Sequence, residues 1–224
     1  LHLGRTQEAL PPLNRIRPEH EEWAAAQRLK GHALLYGAQR SDAVDALSRA
    51  RAARPNSPKL AMELVRALLL DGQIPRARSE LVMAVAQWPD NTQFRFELGL
   101  LIHRMDGEGA GFAAMEDVLR VDPGHPLALN YVGFTLADRG ERLDDAEKMI
   151  RRALKKRPRD AAIVDSLGWV LYRIGDNQEA ERVLRRALQL SPNEAEIHYH
   201  LAVVLRALGR EALAIKAYER ALEL

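Results

Sequence analysis

The chain has 224 residues, of which 47% are apolar and 29% are charged, an ordinary composition for a soluble helical protein. Its 33 basic and 31 acidic side chains leave a net charge of +2, which gives no global electrostatic case for binding nucleic acid or an anionic membrane. The sequence has no cysteine, so disulfides, thiolate zinc sites and cysteine nucleophiles are excluded. No apolar run approaches the roughly 18 residues of a membrane span.

Residues 1–23 form the least regular part of the sequence. Gly4 is spaced like the turn residue of a helical hairpin, but Pro11 and Pro12 would then fall in the middle of its second helix, where proline removes a hydrogen bond. The segment is therefore predicted to be a degraded half-repeat or an N-terminal helix. Pro18 is predicted to lie in the first turn of the next helix.

After this segment, residues of similar type recur with a period of about 34, the length of two helices and their connections. The clearest period is 161–194, which has Gly168 in its eighth place, Ala180 in its twentieth, Ala187 in its twenty-seventh and Pro192 in its thirty-second. Apolar residues fill other places at three- and four-residue spacing, which predicts two amphipathic helices in each period. The same register places repeat units at 24–57, 58–91, 92–125, 126–160, 161–194 and 195–224.

This length and this pattern of small and apolar places resemble the tetratricopeptide repeat (TPR). The resemblance implies an all-α fold, a right-handed solenoid in which each unit is a pair of antiparallel helices. The last unit, 195–224, ends without a following polar helix, although a repeat array needs a polar cap over its last apolar face. This end is therefore expected to continue or to meet a partner, including another copy of the chain.

The second helix of the third unit is predicted to be the weakest. Gly107, Gly109 and Gly111 lie in its preceding turn and its first helical turn. Because each glycine in a helix interior costs about 1 kcal/mol relative to alanine, this helix is expected to begin late or to be the most mobile of the array.

The TPR resemblance also implies that the first helices of successive units line a groove for partners. Aromatic and charged side chains occupy the groove places of the last three units, and tyrosine, tryptophan and arginine are typical of binding hot spots. An alternative is that some of the aromatic residues simply pack between neighbouring first helices. The predicted partner-binding residues are Asn130, Tyr131, Phe134, Asp165, Trp169, Tyr172, Arg173, Tyr199, His200 and Arg206.

Some TPR proteins grip a C-terminal carboxylate with lysines, asparagines and an arginine at fixed groove places. In this sequence Arg28 and His32 stand in the first two of those places, and Glu63 stands where the second asparagine belongs. Gln93 and Glu97 stand where the last cations belong. A carboxylate clamp of that kind is therefore not expected.

No catalytic, metal or cofactor site is predicted. The sequence has no GxSxG element, no phosphate-binding glycine loop and no histidine–carboxylate set with metal-ligand spacing. The chain is therefore interpreted as non-enzymatic, with protein or peptide partners and without nucleic acid or a small-molecule cofactor.

Two segments are more distinctive than the general repeat. Residues 128–139 (ALNYVGFTLADR) and 165–173 (DSLGWVLYR) are similar to the C-terminal repeats of proteobacterial TPR lipoproteins, which include outer-membrane adaptors of a periplasmic carboxyl-terminal processing protease. That similarity implies a scaffold of the bacterial envelope, periplasmic or associated with the outer membrane. Any membrane attachment would come from an N-terminal anchor outside this chain, and a cytoplasmic location is the alternative.

Two further functions are compatible with the residues. The chain is also interpretable as the TPR arm of a larger enzyme, such as a glycosyl- or sulfotransferase with its catalytic domain after Leu224. A scaffold that assembles with copies of itself is the other alternative. Because the chain begins at Leu1 rather than at methionine, it is expected to be a processed fragment.

Overall fold

The structure, a computed structural model, describes residues 8–224 of the chain. Within that range all regular structure is helical and there is no strand, so the expected all-α fold is confirmed. No helix among these described residues is long and apolar enough to cross a lipid bilayer. The helices of the described range, numbered in chain order, are α1 (Leu10–Asn14), α2 (Trp23–Tyr36), α3 (Arg40–Ala53), α4 (Pro58–Leu70), α5 (Ile74–Gln87), α6 (Thr92–Asp106), α7 (Glu108–Val121), α8 (Pro126–Arg139), α9 (Leu143–Lys156), α10 (Ala161–Ile174), α11 (Asn177–Leu190), α12 (Ala195–Ala207) and α13 (Glu211–Glu223).

The chain divides after Leu101, inside α6, into two compact units. We call residues 8–101 the N-terminal lobe and residues 102–224 the C-terminal lobe. Fully buried side chains such as Leu47 and Phe94 form the core of the N-terminal lobe, whereas Ile150 and Leu184 are among those of the C-terminal lobe. Each lobe therefore has an apolar core of its own.

Consecutive helices pack as pairs joined by short turns. Helix α2 contacts α3, α4 contacts α5, α8 contacts α9, α10 contacts α11, and α12 contacts α13. Because each connection is only a few residues long, the second helix of a pair runs back along the first. Second helices also contact the next first helix, as α9 contacts α10 and α11 contacts α12, so the pairs stack within their lobes.

Three of these pairs cross at a glycine in the eighth place of the repeat, namely Gly31, Gly133 and Gly168. A Cβ atom built on Gly31 would lie 2.6 Å from Leu47 Cγ, and one built on Gly168 would lie 2.5 Å from Leu184 Cγ. Both leucines are fully buried, so they have little room to move aside. Glycine at this place therefore lets the paired helices approach closely.

The turn between α10 and α11 also requires glycine. Gly175 has a φ of 103°, in the left-handed region that most residues avoid, and its amide donates hydrogen bonds to the carbonyl oxygens of Leu171 and Tyr172. Asp176 follows, and its carboxylate accepts a hydrogen bond from the Glu179 amide at 3.2 Å. This side chain caps the N-terminus of α11, so the turn ends one helix and begins the next within two residues.

The first described residues differ from the sequence expectation. Pro11 and Pro12 lie in the first turn of α1, a helix of five residues, where the missing amide of proline costs no helical hydrogen bond. Helix α2 begins at Trp23 and not near Pro18, because the preceding residues form turns in which the Trp23 amide donates to the carbonyl oxygen of His20. Residues 1–7 of the predicted half-repeat, including its glycine, lie outside the described residues.

The expected late start of the second helix of the third unit is wrong. Helix α7 begins at Glu108, directly after Gly107, and continues for 14 residues. Gly111 is buried at a point where an added Cβ would lie 2.5 Å from His103 Cβ and 2.7 Å from the Tyr131 hydroxyl oxygen. Close packing at this glycine therefore outweighs its poor helix propensity.

Candidate functional site

Three helices of the C-terminal lobe, α8, α10 and α12, are the first helices of their pairs and lie side by side. We call the surface that they share the first-helix face. The ring of Phe134 on α8 lies 6.1 Å from the ring of His200 on α12, although α10 separates these two helices in the stack. Side chains from the flanking helices therefore meet over α10, which makes this face concave.

A buried histidine–carboxylate pair forms the base of the first-helix face. Nδ1 of His200 lies 2.9 Å from each carboxylate oxygen of Asp165, to which it donates. The two residues are only 4% and 5% exposed. The indole of Trp169 stacks on the imidazole with ring centroids 4.4 Å apart. These contacts join α10 to α12 and hold both rings in place.

Aromatic side chains surround this base. The ring of Tyr172 lies 5.2 Å from that of Trp169, and the ring of Tyr199 lies 5.9 Å from that of His200, both within the range of favourable aromatic contacts. Tyr199 is 49% exposed, and Tyr172 and Phe134 are partly exposed. The first-helix face thus carries a half-open aromatic patch, which we define as Phe134, Trp169, Tyr172 and Tyr199.

Tyr131 belongs to a separate polar cluster. Its hydroxyl oxygen lies 2.7 Å from Nδ1 of His103. Burial, together with the nearby Glu108 carboxylate, raises the pKa of Tyr131 above its ordinary value. Glu108 in turn accepts two hydrogen bonds from Arg139, at 2.9 and 2.6 Å. These contacts join α8 to α6 and α7 within the lobe.

The remaining predicted groove residues have three different environments. The side-chain oxygen of Asn130 is buried and has no hydrogen-bond partner among the described residues. Arg173 donates to the main-chain oxygen of Asp138, and its guanidinium lies 6.0 Å from the centre of the Trp169 ring. Arg206 is exposed on α12. Arg173 therefore borders the aromatic patch. Arg206 provides an exposed cation near the C-terminal end of α12.

In the N-terminal lobe, the first helices α2 and α4 are joined by a polar contact. Nε of Arg28 donates to both carboxylate oxygens of Glu63, at 2.9 and 2.7 Å, and Nε2 of His32 lies 3.3 Å from one of them. Burial alone would raise the pKa of Glu63, but the hydrogen bond and charge of Arg28, with those of His32, outweigh burial and lower it. The Glu63 carboxylate is therefore ionised and already occupied by partners within the lobe.

The model of the tetratricopeptide repeat family matches residues 28–92, 131–193 and 166–224, together more than half of the chain. The chain belongs to the tetratricopeptide repeat family. A TPR repeat-containing protein of Pseudomonas aeruginosa is 31% identical to it over 171 residues, which are 76% of this chain and 29% of that protein. A chain of the APC/C hetero-tetramer Cut9–Hcn1 matches with a TM-score of 0.75 at 19% identity, over 98% of this chain and 44% of its own. YrrB, described as a TPR protein with an unusual peptide-binding site, matches with a TM-score of 0.57 at 14% identity, over 89% of this chain and 99% of its own.

These matches define what the TPR chain shares with its relatives. It spans 29% of the length of the Pseudomonas protein and 44% of the matched Cut9–Hcn1 chain. At their low identities, the two solved structures show the TPR fold alone. The family and the relatives indicate no enzyme family, and within residues 8–224 no group of three histidine, cysteine or carboxylate side chains is placed to hold a metal ion.

Burial divides the predicted groove residues of this TPR chain into two groups. Asp165, Trp169 and His200 are each less than a tenth exposed, so they pack between neighbouring first helices, as the alternative interpretation of the aromatic residues expects. Tyr199 is half exposed and Tyr172 is partly exposed, so their rings are open to a partner. Partner binding by either group stays a prediction.

The repeat pattern does not predict the contribution of Tyr218. This residue lies on α13, a second helix, whereas the groove is expected to be lined by first helices. Its ring is nevertheless 5.9 Å from that of Tyr199. The place of Tyr218 in the repeat does indicate that it packs inward. Leu184 stands in the equivalent place of the preceding unit and is fully buried.

Replacing Glu63 with glutamine is expected to flatten the acid dependence of stability in the N-terminal lobe. Because the folded-state pKa of Glu63 is lowered from 4.5, its contribution is present above the unfolded pKa and is lost as the pH falls through the folded pKa. At neutral pH the loss should be about 1 kcal/mol, a modest value because the Arg28 side chain is one-third exposed. Thermal unfolding of parent and variant across a pH series measures both effects.

Glu97→Gln is the matched control, since Glu97 lies on α6 of the same lobe without an ion pair among the described residues. Its acid dependence should equal that of the parent. If the Glu63 variant lost stability with falling pH as steeply as the parent does, the Arg28 contact would not stabilise the lobe.

Proposed function

We propose that this chain is a non-enzymatic scaffold for protein partners, and that the first-helix face of the C-terminal lobe binds a peptide segment of the partner. The TPR fold supports the first part, because proteins of this family bind protein or peptide partners. The observation that carries the second part is the half-exposed ring of Tyr199 beside a buried, hydrogen-bonded base on a concave face.

The physical argument rests on preorganisation. The ring of Tyr199 contacts the imidazole of His200, which is fixed by Asp165, so little side-chain freedom remains to be lost on binding. Tyrosine buries a large apolar area and keeps a hydroxyl for hydrogen bonds to a peptide main chain. Arg206 lies about two helical turns after Tyr199 on the same side of α12, where it supplies an exposed cation. Peptide side chains would contact the rings, and the main chain would contact the hydroxyls.

Replacing Tyr172 and Tyr199 with alanine is expected to weaken peptide binding about tenfold or more, because truncating a hot-spot tyrosine typically costs above 1 kcal/mol. Peptides selected from a random library on the immobilised chain 1–224 provide the probes. Fluorescence anisotropy then gives their dissociation constants for the parent and the double variant. These two positions are more suitable than Trp169, whose burial makes its truncation a test of stability.

The matched control is Val82→Ala with Met83→Ala on the second helix α5, where both side chains are 51% exposed. This variant removes exposed apolar area without touching a first helix and should bind the selected peptides like the parent. Equal weakening in both variants, or no change in the tyrosine variant, would place peptide binding elsewhere. Circular dichroism of all variants verifies that the helices are retained.

A finer proposal concerns the partner and the compartment. Segments 128–139 and 165–173 are similar to repeats of envelope TPR lipoproteins, so we propose a periplasmic or outer-membrane-associated adaptor for a protease and its substrates. A bacterial relative is consistent with that setting. A protease or murein hydrolase captured from envelope extract by the parent, and lost with the tyrosine variant, would support this proposal. Recovery of the same proteins by both would contradict the proposed site.

A further inference from the structure

The N-terminal lobe has a cavity of about 360 Å³ at the junction of α4 and the start of α6. Helix α4 contributes Lys59, Met62, Glu63 and Arg66 to its walls. Phe94 is fully buried and Met62 is 7% exposed, so the floor is apolar and firmly packed. The cavity opens to solvent, and Lys59 and Arg66 are both exposed at its rim. It is therefore a shallow binding pocket with an apolar base and charged walls.

The charges of this cavity do not balance. Its one carboxylate, Glu63, accepts two hydrogen bonds from Arg28 and is neutralised by it. Lys59 and Arg66 have no hydrogen bond or ion pair with any of the described residues 8–224. The cavity therefore has two uncompensated positive charges, although the chain as a whole has a net charge of only +2.

The two free cations have a defined spacing. They lie two helical turns apart on one side of α4, so their α-carbons are about 10 Å apart along the helix axis. A peptide in the polyproline II conformation advances about 3.1 Å per residue with three residues per turn, so side chains three residues apart lie on the same side and are separated by about the same distance. Met62 lies between the two cations in sequence and faces the same cavity.

We propose that this cavity binds an acidic segment of a partner protein in the polyproline II conformation, in which two carboxylate side chains three residues apart contact Lys59 and Arg66. The intervening residues would lie over the apolar floor formed by Met62 and Phe94. This site differs from a clamp for a C-terminal carboxylate, because Glu63 replaces an asparagine that such a clamp requires. It also lies in a different lobe from the aromatic patch and does not depend on peptide binding there.

The test uses the full chain 1–224 and a fluorescein-labelled eight-residue peptide with two glutamates separated by two other residues. Anisotropy titrations compare this peptide with one carrying glutamine at both positions and with one carrying adjacent glutamates. The spaced peptide should bind with a dissociation constant below about 1 mM, and the glutamine peptide about tenfold more weakly. The adjacent peptide should fall between them, and raising the salt should weaken the spaced peptide most.

Lys59→Glu with Arg66→Glu should reduce binding of the spaced peptide by about tenfold or more. Both side chains are exposed, so the fold should tolerate the change. The matched control is Lys155→Glu with Arg159→Glu, an equal change of charge at two exposed cations of the C-terminal lobe. Failure of the spaced peptide to bind the parent, or equal loss in both variants, would overturn the proposal. Neither result would affect the aromatic patch, which is tested by its own tyrosine variant.

Discussion

Replacement of Asp165 with alanine is expected to lower the free energy of unfolding of the C-terminal lobe by about 3 kcal/mol. The change removes the only hydrogen-bond acceptor described for Nδ1 of His200 and leaves that group buried, at 4% exposure. The loss should extend to the aromatic patch, because the imidazole stacks on Trp169. Urea unfolding combined with amide hydrogen exchange in α10 and α12 measures the effect and assigns it to this lobe.

A double-mutant cycle tests whether the pair acts as one stabilising element. Asp165→Leu and His200→Phe each leave one buried polar partner unsatisfied, whereas the double variant removes both polar groups and keeps a ring against Trp169. The double variant should therefore be more stable than the sum of the two single losses implies. Strict additivity would show that the hydrogen bond contributes nothing beyond the packing of each side chain.

A side-chain contact between the same two places of consecutive repeats occurs in each lobe. Asp165 and Arg28 each stand in the fifth place of a repeat, and their partners His200 and Glu63 each stand in the sixth place of the next repeat. Both contacts span 35 residues. In the C-terminal lobe the pair is buried beneath aromatic rings, whereas in the N-terminal lobe it borders an open cavity. One contact geometry thus supports two surfaces of different chemistry.

The helix pairs could be predicted from the sequence because their cause is local and periodic. Gly168 and Ala180 recur at fixed places since paired helices must approach there, and the structure has glycine against Leu184 at that crossing. The exposure of individual groove residues could not be predicted in this way. Asp165 and Tyr199 occupy the same place of their repeats, yet they are 5% and 49% exposed.

The difference between these two residues arises from their neighbours on other helices. Asp165 is covered because His200 of α12 packs and bonds over it, whereas the Tyr199 ring contacts the rings of His200 and Tyr218 and has no hydrogen bond with the described residues 8–224. Periodicity assigns a residue to a face of its own helix and carries no information on what the next helix places above it. For the same reason the burial of Trp169 was not predictable, although its position on α10 was.

The glycines of α7 illustrate a second limit of prediction from the sequence. Helix propensity treats Gly109 and Gly111 alike, since it concerns only the helix that contains them. In the structure an added Cβ at Gly111 would meet His103, whereas one at Gly109 would meet nothing within 4 Å. Only a three-dimensional contact distinguishes a glycine needed for packing from one that merely weakens its helix.

Replacing these two kinds of glycine with alanine is therefore expected to change the free energy of unfolding in opposite directions. Gly168→Ala should destabilise the C-terminal lobe by about 2 kcal/mol, because its Cβ would lie 2.5 Å from Cγ of the fully buried Leu184 and the helices would have to separate. Gly109→Ala should stabilise the same lobe by about 0.5 kcal/mol, because alanine loses less backbone entropy in a helix and meets no neighbour. Urea unfolding of both variants, followed by hydrogen exchange in α7 and α10, measures the two changes.

The two substitutions add the same methyl group to the same lobe, so each is the control for the other. Gly168→Ala combined with Leu184→Ala provides a further check, because the shorter side chain removes the atom that the new Cβ would meet. The added cost of Gly168→Ala should largely disappear in that background, since the strain depends on the Leu184 side chain. If Gly168→Ala were as harmless as Gly109→Ala, α10 and α11 would not be in the close contact that places Trp169 and Asp165 on the first-helix face.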